Sequence, residues 1–217
     1  MALTDVRDAP VTRNAAKSRQ RILDAAETIF ATRGLEGTRM AGIADLAGCN
    51  QALLYHYFAS KDDLFTAVLE QTYAKIRAAE QELELDHLEP VAAMQKLVEF
   101  SFDYVRGNPS FIKLINDENM HGAEHLKASA DARRLNTPLV DTIACILQAG
   151  AERGDFRDGV DPVQLYITVA SLAYFFTANR ATLSVIFDLP DQKACFALRR
   201  AHIVDVVLGF LRAAPAS

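Results

Sequence analysis

"MAGIADLAGCNQALLYHYFASKDDL", Met40 to Leu64, holds two short helical patterns separated by Gly48-Cys49-Asn50. In the first, Met40 to Ala47, Thr38 stands ahead as a cap, Ile43 and Leu46/Ala47 fall on the inward side, and Gly48 ends the run. The second, 51–57, opens after Asn50, a good capping residue. Ser60 then caps a longer helix whose first turn holds Asp62 and Asp63, where carboxylates meet the positive end of the helix dipole. Two short helices joined by a three-residue turn containing glycine form a helix-turn-helix unit.

Tyr55, His56, Tyr57 and Phe58 follow one another without a small residue between them, so they cannot all face one core. Leu54 and Phe58, four apart, turn inward with Tyr57 beside them, and Gln51, Ala52, Tyr55 and His56 form the opposite stripe. That stripe suits a DNA major groove. Glutamine can bond an adenine edge through two hydrogen bonds, and alanine can approach a thymine methyl. Tyrosine and histidine can donate to phosphates and so fix register. Lys61 can neutralise a further phosphate, and Thr38 and Arg39 stand where helix N-terminal amides favour an anion. The competing account packs Tyr55 and His56 against a neighbouring helix, as most aromatic residues are packed. The helix-turn-helix punctuation around them favours DNA.

Working outward, the start and stop signals divide the chain into helices at 15–33, 40–47, 51–57, 61–82, 90–106, 109–118, 121–134, 138–153, 162–183 and 191–212. Asn108-Pro109, Thr137-Pro138 and Asp161-Pro162 set proline at the first helical position behind a capping residue. No period-two strand pattern or Asn-Gly hairpin signal interrupts them. The expectation is an all-α protein: a disordered N-terminal arm (1–14), a DNA-binding domain (15–62) and an effector-binding and dimerisation domain (63–217).

The formal charge is −5 over 217 residues, but residues 1–60 carry seven Lys/Arg against six Asp/Glu, a balance of +1. The remainder, 16 basic against 22 acidic, carries −6, so the less acidic end is the one with the helix-turn-helix. Hydrophobic residues make up 50% of the chain, enough for a substantial core. Three scattered cysteines without a CxxC fit a reducing compartment. "MALTDVRDAP" lacks the apolar run of a secretion signal. Val163–Ala178 falls short of the roughly 20 apolar residues that cross a bilayer. A cytoplasmic protein without a membrane partner is expected.

Arg21 to Gln71, about a quarter of the chain, resembles the DNA-binding domain of the tetracycline-repressor (TetR) family through "AAxxxFxxxG", "TxMxxIAxLAG", "LLYHYF" and "SKDDL". The resemblance implies an all-helical homodimer on a palindromic, double-stranded operator, released by a small-molecule effector, with no catalysis and no cofactor. Carried onto this chain, it sets Gln51, Ala52 and Leu53 facing bases, and Tyr55, His56 and Lys61 on phosphates. Leu53 departs from the small hydroxyl residue, usually threonine, found there in the family. An apolar contact replaces a hydrogen bond, so the operator sequence does not carry over. "DENMHGAEHL" with "VDPVQLYITVASLAYFFTANRATLSVIF" is similar to C-terminal domains of TetR-type regulators of small aromatic or nitrogen-heterocyclic catabolism.

Reading a palindrome takes two heads about 34–36 Å apart, or a multiple, and therefore a dimer. Helix 162–183 is apolar nearly all round, and 191–212 shows Phe196, Ile203, Val206, Val207 and Phe210 along one side; two such helices from each of two chains can make a four-helix interface, as the family resemblance implies, and the alternative is a monomer core that buries both. For the effector, Tyr73, Ser101, Phe102, Tyr166, Tyr174, Asn179 and Arg180 place rings and polar groups in or beside apolar stripes. Each also has an ordinary structural account, such as a serine bonding its own i−4 carbonyl. His121 and His125 are four apart with Glu118 nearby, a spacing that can share a metal on one helix turn. Gly122 breaks any HExxH pattern and no third ligand is evident, so no metal is assigned. Two rival functions follow: a small metal-dependent enzyme using His121 and His125, and a ligand-binding module without DNA function.

Overall fold

The computed structural model describes residues 9–129, 131–190 and 192–213. Among them the elements are α1 (Ala9–Arg33), α2 (Met40–Ala47), α3 (Gln51–Tyr57), α4 (Lys61–Gln81), a 3₁₀ turn (Leu85–His87), α5 (Pro90–Gly107), α6 (Pro109–Met120), α7 (Glu124–Ala128), α8 (Asp131–Glu152), α9 (Pro162–Phe187) and α10 (Gln192–Leu211). There is no strand among these residues, only an isolated antiparallel bridge between Phe156 and Arg212. The fold is all-α, as expected. α1 begins at Ala9, ahead of the expected residue 15, so 9–14 are helical; the rest of the expected arm, 1–8, lies outside the described residues.

Two compact units form, and they are not collinear with the chain. One comprises the described residues of Met1–Thr72 with Lys113–Ala130, the other those of Tyr73–Ile112 with Asp131–Ser217. The single cut expected at 62/63 is thus drawn differently: α4 and α6 each supply residues to both units, and 113–130 join the helix-turn-helix. In the first unit Ile22, Ala26, Phe30, Ile43, Leu54, Leu64, Phe65 and Leu114 form the core, with Phe30 and Phe65 edge to face at 5.0 Å. Leu46, expected inward, is 53% exposed, and Ala44 is buried in its place.

In the second unit α5 packs on α8, α9 and α10 around Met94, Leu97, Phe102, Ile143, Leu165, Val169, Phe176 and Ile203. α9 buries Leu165, Val169, Ala173 and Phe176 and leaves Val163, Ile167 and Phe175 on its other side exposed. On α10, Ile203 and Val207 are inside whereas Val206 and Phe210, expected on the same side, are exposed.

Two further expected boundaries differ. Helix 121–134 is divided because Gly122 and Ala123 both take left-handed φ (66° and 60°), making a turn before α7. Thr137-Pro138 does not start a helix: α8 runs through it from Asp131. The lost backbone bond is outweighed there by burial of Leu139, Ile143, Ile146 and Leu147 along one face.

Candidate functional site

The exposed stripe begins with how α3 is held. Seven residues are too few for a helix to persist alone in water, where about 12–15 are marginal. Asn50 therefore caps it, its side chain accepting from Leu53 N at 2.8 Å. Gly48 takes φ 61°, ψ 42°, which lets the chain reverse between α2 and α3. Leu54 is fully buried, Phe58 lies in the same core under the Arg19 guanidinium (5.3 Å to the ring), and the Tyr57 hydroxyl donates to Ala15 O at 3.2 Å. Anchored on those three side chains, α3 leaves Gln51, Ala52, Tyr55 and His56 exposed and Leu53 half-buried, with Tyr55 50% exposed. Arg39 is also exposed.

Two expected phosphate contacts are committed elsewhere. Thr38 is buried, its hydroxyl donating to Gly34 O at 2.6 Å and its N–H to Leu35 O at 3.3 Å; it closes the turn after α1 and does not cap α2. Lys61 Nζ donates to Leu35 O at 2.8 Å and is half-buried, so it ties α4 to that same turn.

The histidine pair has a structural employment. Glu118 is 1% exposed, and its carboxylate accepts from His125 Nδ1 (2.6 Å) and from Leu126 N (2.9 Å), which caps α7 from a distance. His125 also meets the Phe65 ring edge-on at 4.9 Å. His121 donates from Nδ1 to Asp117 O at 2.8 Å, a bond that raises its pKa above the ordinary value with help from the Asp117 and Glu36 carboxylates and against some desolvation. The Asp117 carboxylate in turn accepts Leu35 N at 2.6 Å. The two imidazoles do not share a helix turn, and among the described residues no group of three His, Cys, Asp or Glu is placed to hold a metal.

In the second unit, the expected effector residues divide. Ser101 and Tyr166 border a void of about 10 Å³ between α5, α8 and α9, room for one water at most. Ser101 spends its hydroxyl on Leu97 O (2.8 Å), and Asn179 donates to Phe175 O (2.9 Å). Phe102 is core, with its ring 6.2 Å from Phe176 and 6.0 Å from Phe196. Arg180 lies over Phe196, Tyr73 meets Phe111, and burial raises the Tyr174 pKa; none of these three lines that void.

A larger cavity, about 230 Å³, opens elsewhere between α4 and α8 and is lined by Arg77, Glu80, Leu85, Arg134, Leu139 and Thr142, among others. Arg77 is only 7% exposed; its guanidinium sits 2.9 Å from Glu80 and lies over the Tyr166 ring at 5.9 Å. Desolvation lifts the Glu80 pKa from 4.5 to about 7 despite Arg77 beside it. Sequence reasoning missed this pair, since charges at i and i+3 on a long helix read as a solvated face. A further cavity of about 470 Å³ lies around Gln148, Arg157, Asp158 and Pro162.

Two family models match the chain. Residues 22–68 match "Bacterial regulatory proteins, tetR family", and residues 90–207 match "Tetracyclin repressor-like, C-terminal domain". The chain is 38% identical to the HTH-type transcriptional repressor NicS of Pseudomonas putida, across 83% of this chain and 86% of that one. It is 29% identical to the repressor KstR2 of Rhodococcus jostii, over 88% and 89%. The crystal structure of the regulator FadR from Bacillus subtilis, in complex with stearoyl-CoA, superposes with a TM-score of 0.68 at 16% identity, covering 89% of this chain and 99% of that one, a likeness of fold.

Proposed function

The chain belongs to the TetR family of transcriptional regulators, and from that premise we propose that it is a repressor released from a palindromic operator by a small molecule. The observation that carries this reading is the outward stripe of α3. Gln51, Ala52 and Leu53 read base edges in the major groove, while Tyr55, His56 and Arg39 hold phosphates. The apolar residues that α9 and α10 leave exposed, among them Ile167, Phe175, Val206 and Phe210, support pairing with a second copy, which brings two α3 helices to successive grooves. The protein works in the cytoplasm; among the described residues no helix is long and apolar enough to cross a membrane.

The effector binds in the second unit and acts through α4, one of the two helices with residues in both units. Its class is a small aromatic or heterocyclic compound. FadR holds stearoyl-CoA, but a cavity of about 230 Å³ is below the roughly 300–1,000 Å³ of drug-sized sites and favours a single-ring molecule. Gel shift on the DNA upstream of the gene, repeated across a salt series, tests the reading. Affinity that falls steeply with salt is expected, because phosphate contacts release counterions; affinity insensitive to salt, or absent, refutes it.

A further inference from the structure

The turn between α1 and α2 is held by charges brought from other helices. Leu35 is buried at its centre; its N–H donates to Asp117 Oδ2 at 2.6 Å, and its carbonyl accepts from Lys61 Nζ at 2.8 Å. One residue's two backbone groups are thus gripped by an anion from α6 and a cation from α4, 82 and 26 positions away in the chain. Such charge-assisted bonds are roughly twice as strong as neutral ones. The turn itself has little slack. Gly34 takes φ 70°, a side chain at Gly37 would run into Arg33 O, and the Thr38 hydroxyl donates back to Gly34 O at 2.6 Å.

This turn decides where α2 begins. α2 has eight residues, and Arg39 at its N-cap position gives its first turn no side-chain hydrogen bond. A helix so short and without a side-chain cap takes its starting point from the chain that leads into it. Arg39 is exposed at that point.

We propose that Asp117 is a positioning residue for operator binding: by fixing Leu35 it sets the start of α2, and with it the reach of Arg39 to a phosphate. The proposal rests on reading the chain as a DNA-binding repressor and adds the residue that orients one of its phosphate contacts. The Asp117 side chain is 16% exposed and is spent on the turn, so it need not touch DNA itself. Its signature is one of sign. DNA is a polyanion, so neutralising a carboxylate in the DNA-binding unit strengthens binding if charge alone matters. Loss of the Asp117 bond acts the opposite way, because it frees the turn. Glu36 supplies the comparison. It stands in the same turn, is exposed, and lies 3.6 Å from His121 Nε2, with no bond to Leu35.

Fluorescence anisotropy of the full-length protein on the DNA upstream of the gene, repeated across a salt series, tests this. Asp117→Ala is expected to weaken binding at least about tenfold, the worth of a charge-assisted bond. It should also lower the slope of log affinity against log salt by roughly two, one phosphate for each protomer of a dimer, although no cation has been removed. A merely structural role would lower the melting temperature and leave that slope alone. Asp117→Asn, whose amide oxygen still accepts from Leu35 N, falls between Asp117→Ala and the parent. Glu36→Gln binds as tightly as the parent or more tightly. Asp117→Ala binding as tightly as the parent, or a loss with the salt slope unchanged, overturns the proposal. If Asp117→Ala does not fold, Asp117→Asn decides: weaker binding than Glu36→Gln supports the proposal, and equal or tighter binding overturns it. The repressor reading fails separately, when the parent itself does not bind this DNA.

Discussion

Gln51 and Tyr55 share one face of α3, yet the chemistry assigned to each predicts opposite signatures. A phenol hydroxyl on a phosphate carries no sequence information, so Tyr55→Phe is expected to weaken binding by a similar factor on every DNA sequence. A glutamine amide on a base edge does carry it, and Gln51→Ala is expected to relax preference at one base pair by about 1–3 kcal/mol. Binding measured on a set of single-base operator variants separates the two, and a Tyr55→Phe loss confined to one base pair would reverse the roles. Glu80 makes a prediction of another kind. The folded chain holds its proton to about pH 7, whereas the ordinary carboxyl releases it near 4.5. Its contribution to stability is therefore complete below about pH 4.5 and is lost as pH rises to about 7. Thermal melts across that window should show the parent losing ground to Glu80→Gln as pH rises; parallel curves would deny that Glu80 titrates so high. These residues also mark what the sequence could tell. Side-chain direction on α3 followed from i, i+4 spacing, so Leu54, Tyr57 and Phe58 were legible as anchors and Tyr55 and His56 as exposed. Thr38, Lys61 and Arg77 were not, because burial of a polar group depends on carbonyls and cavities brought from elsewhere in the chain.

At the scale of elements, short helices owe their existence to tertiary anchors, and α3 is the sharpest case. Leu54 touches no DNA in any docking that uses the outward stripe, but it is fully buried and on the opposite side of a seven-residue helix. Leu54→Ala is expected to cost about 2–5 kcal/mol of stability through the cavity it leaves. Operator binding should fall with it. Retained affinity in a variant that melts much earlier would show that α3 is formed on the DNA instead. The α6–α7 turn obeys a similar logic. The start and stop signals suggested a helix over 121–134, but Glu118 spends its buried carboxylate on His125 and on the Leu126 N–H and starts α7 afresh after a left-handed turn. His125→Ala leaves that carboxylate with one fewer donor and should destabilise the protein by about 1–3 kcal/mol, read by thermal melting. Bound metal lost on the same substitution would revive the enzyme reading. Proline at 138 misled for the complementary reason: a start signal is local, and the buried stripe from Leu139 to Leu147 holds α8 helical on both sides of it.

For the whole molecule, repression and release are one equilibrium seen from two ends. If the effector lowers operator affinity by some factor, operator must lower effector affinity by the same factor, because the two routes to the doubly bound state have equal free energy. One covalent route for that coupling is α4, which carries Leu64, Phe65 and Leu69 of the helix-turn-helix core and, about three turns on, Arg77 and Glu80. Dimerisation sharpens the demand, since a palindrome is held only while both α3 helices fit grooves about 34–36 Å apart or a multiple of that. Two measurements follow. Phe175→Asp with Ile167→Asp, on the exposed side of α9, should yield a folded monomer by light scattering that has lost operator binding but not effector binding. Titrating effector into the parent protein, with and without saturating operator, should give affinities differing by 5–150-fold, about 1–3 kcal/mol, matched by the effector-induced loss of operator affinity. Identical affinities in the two titrations would mean that the sites do not communicate, and that ligand binding in the second unit serves something other than release from DNA.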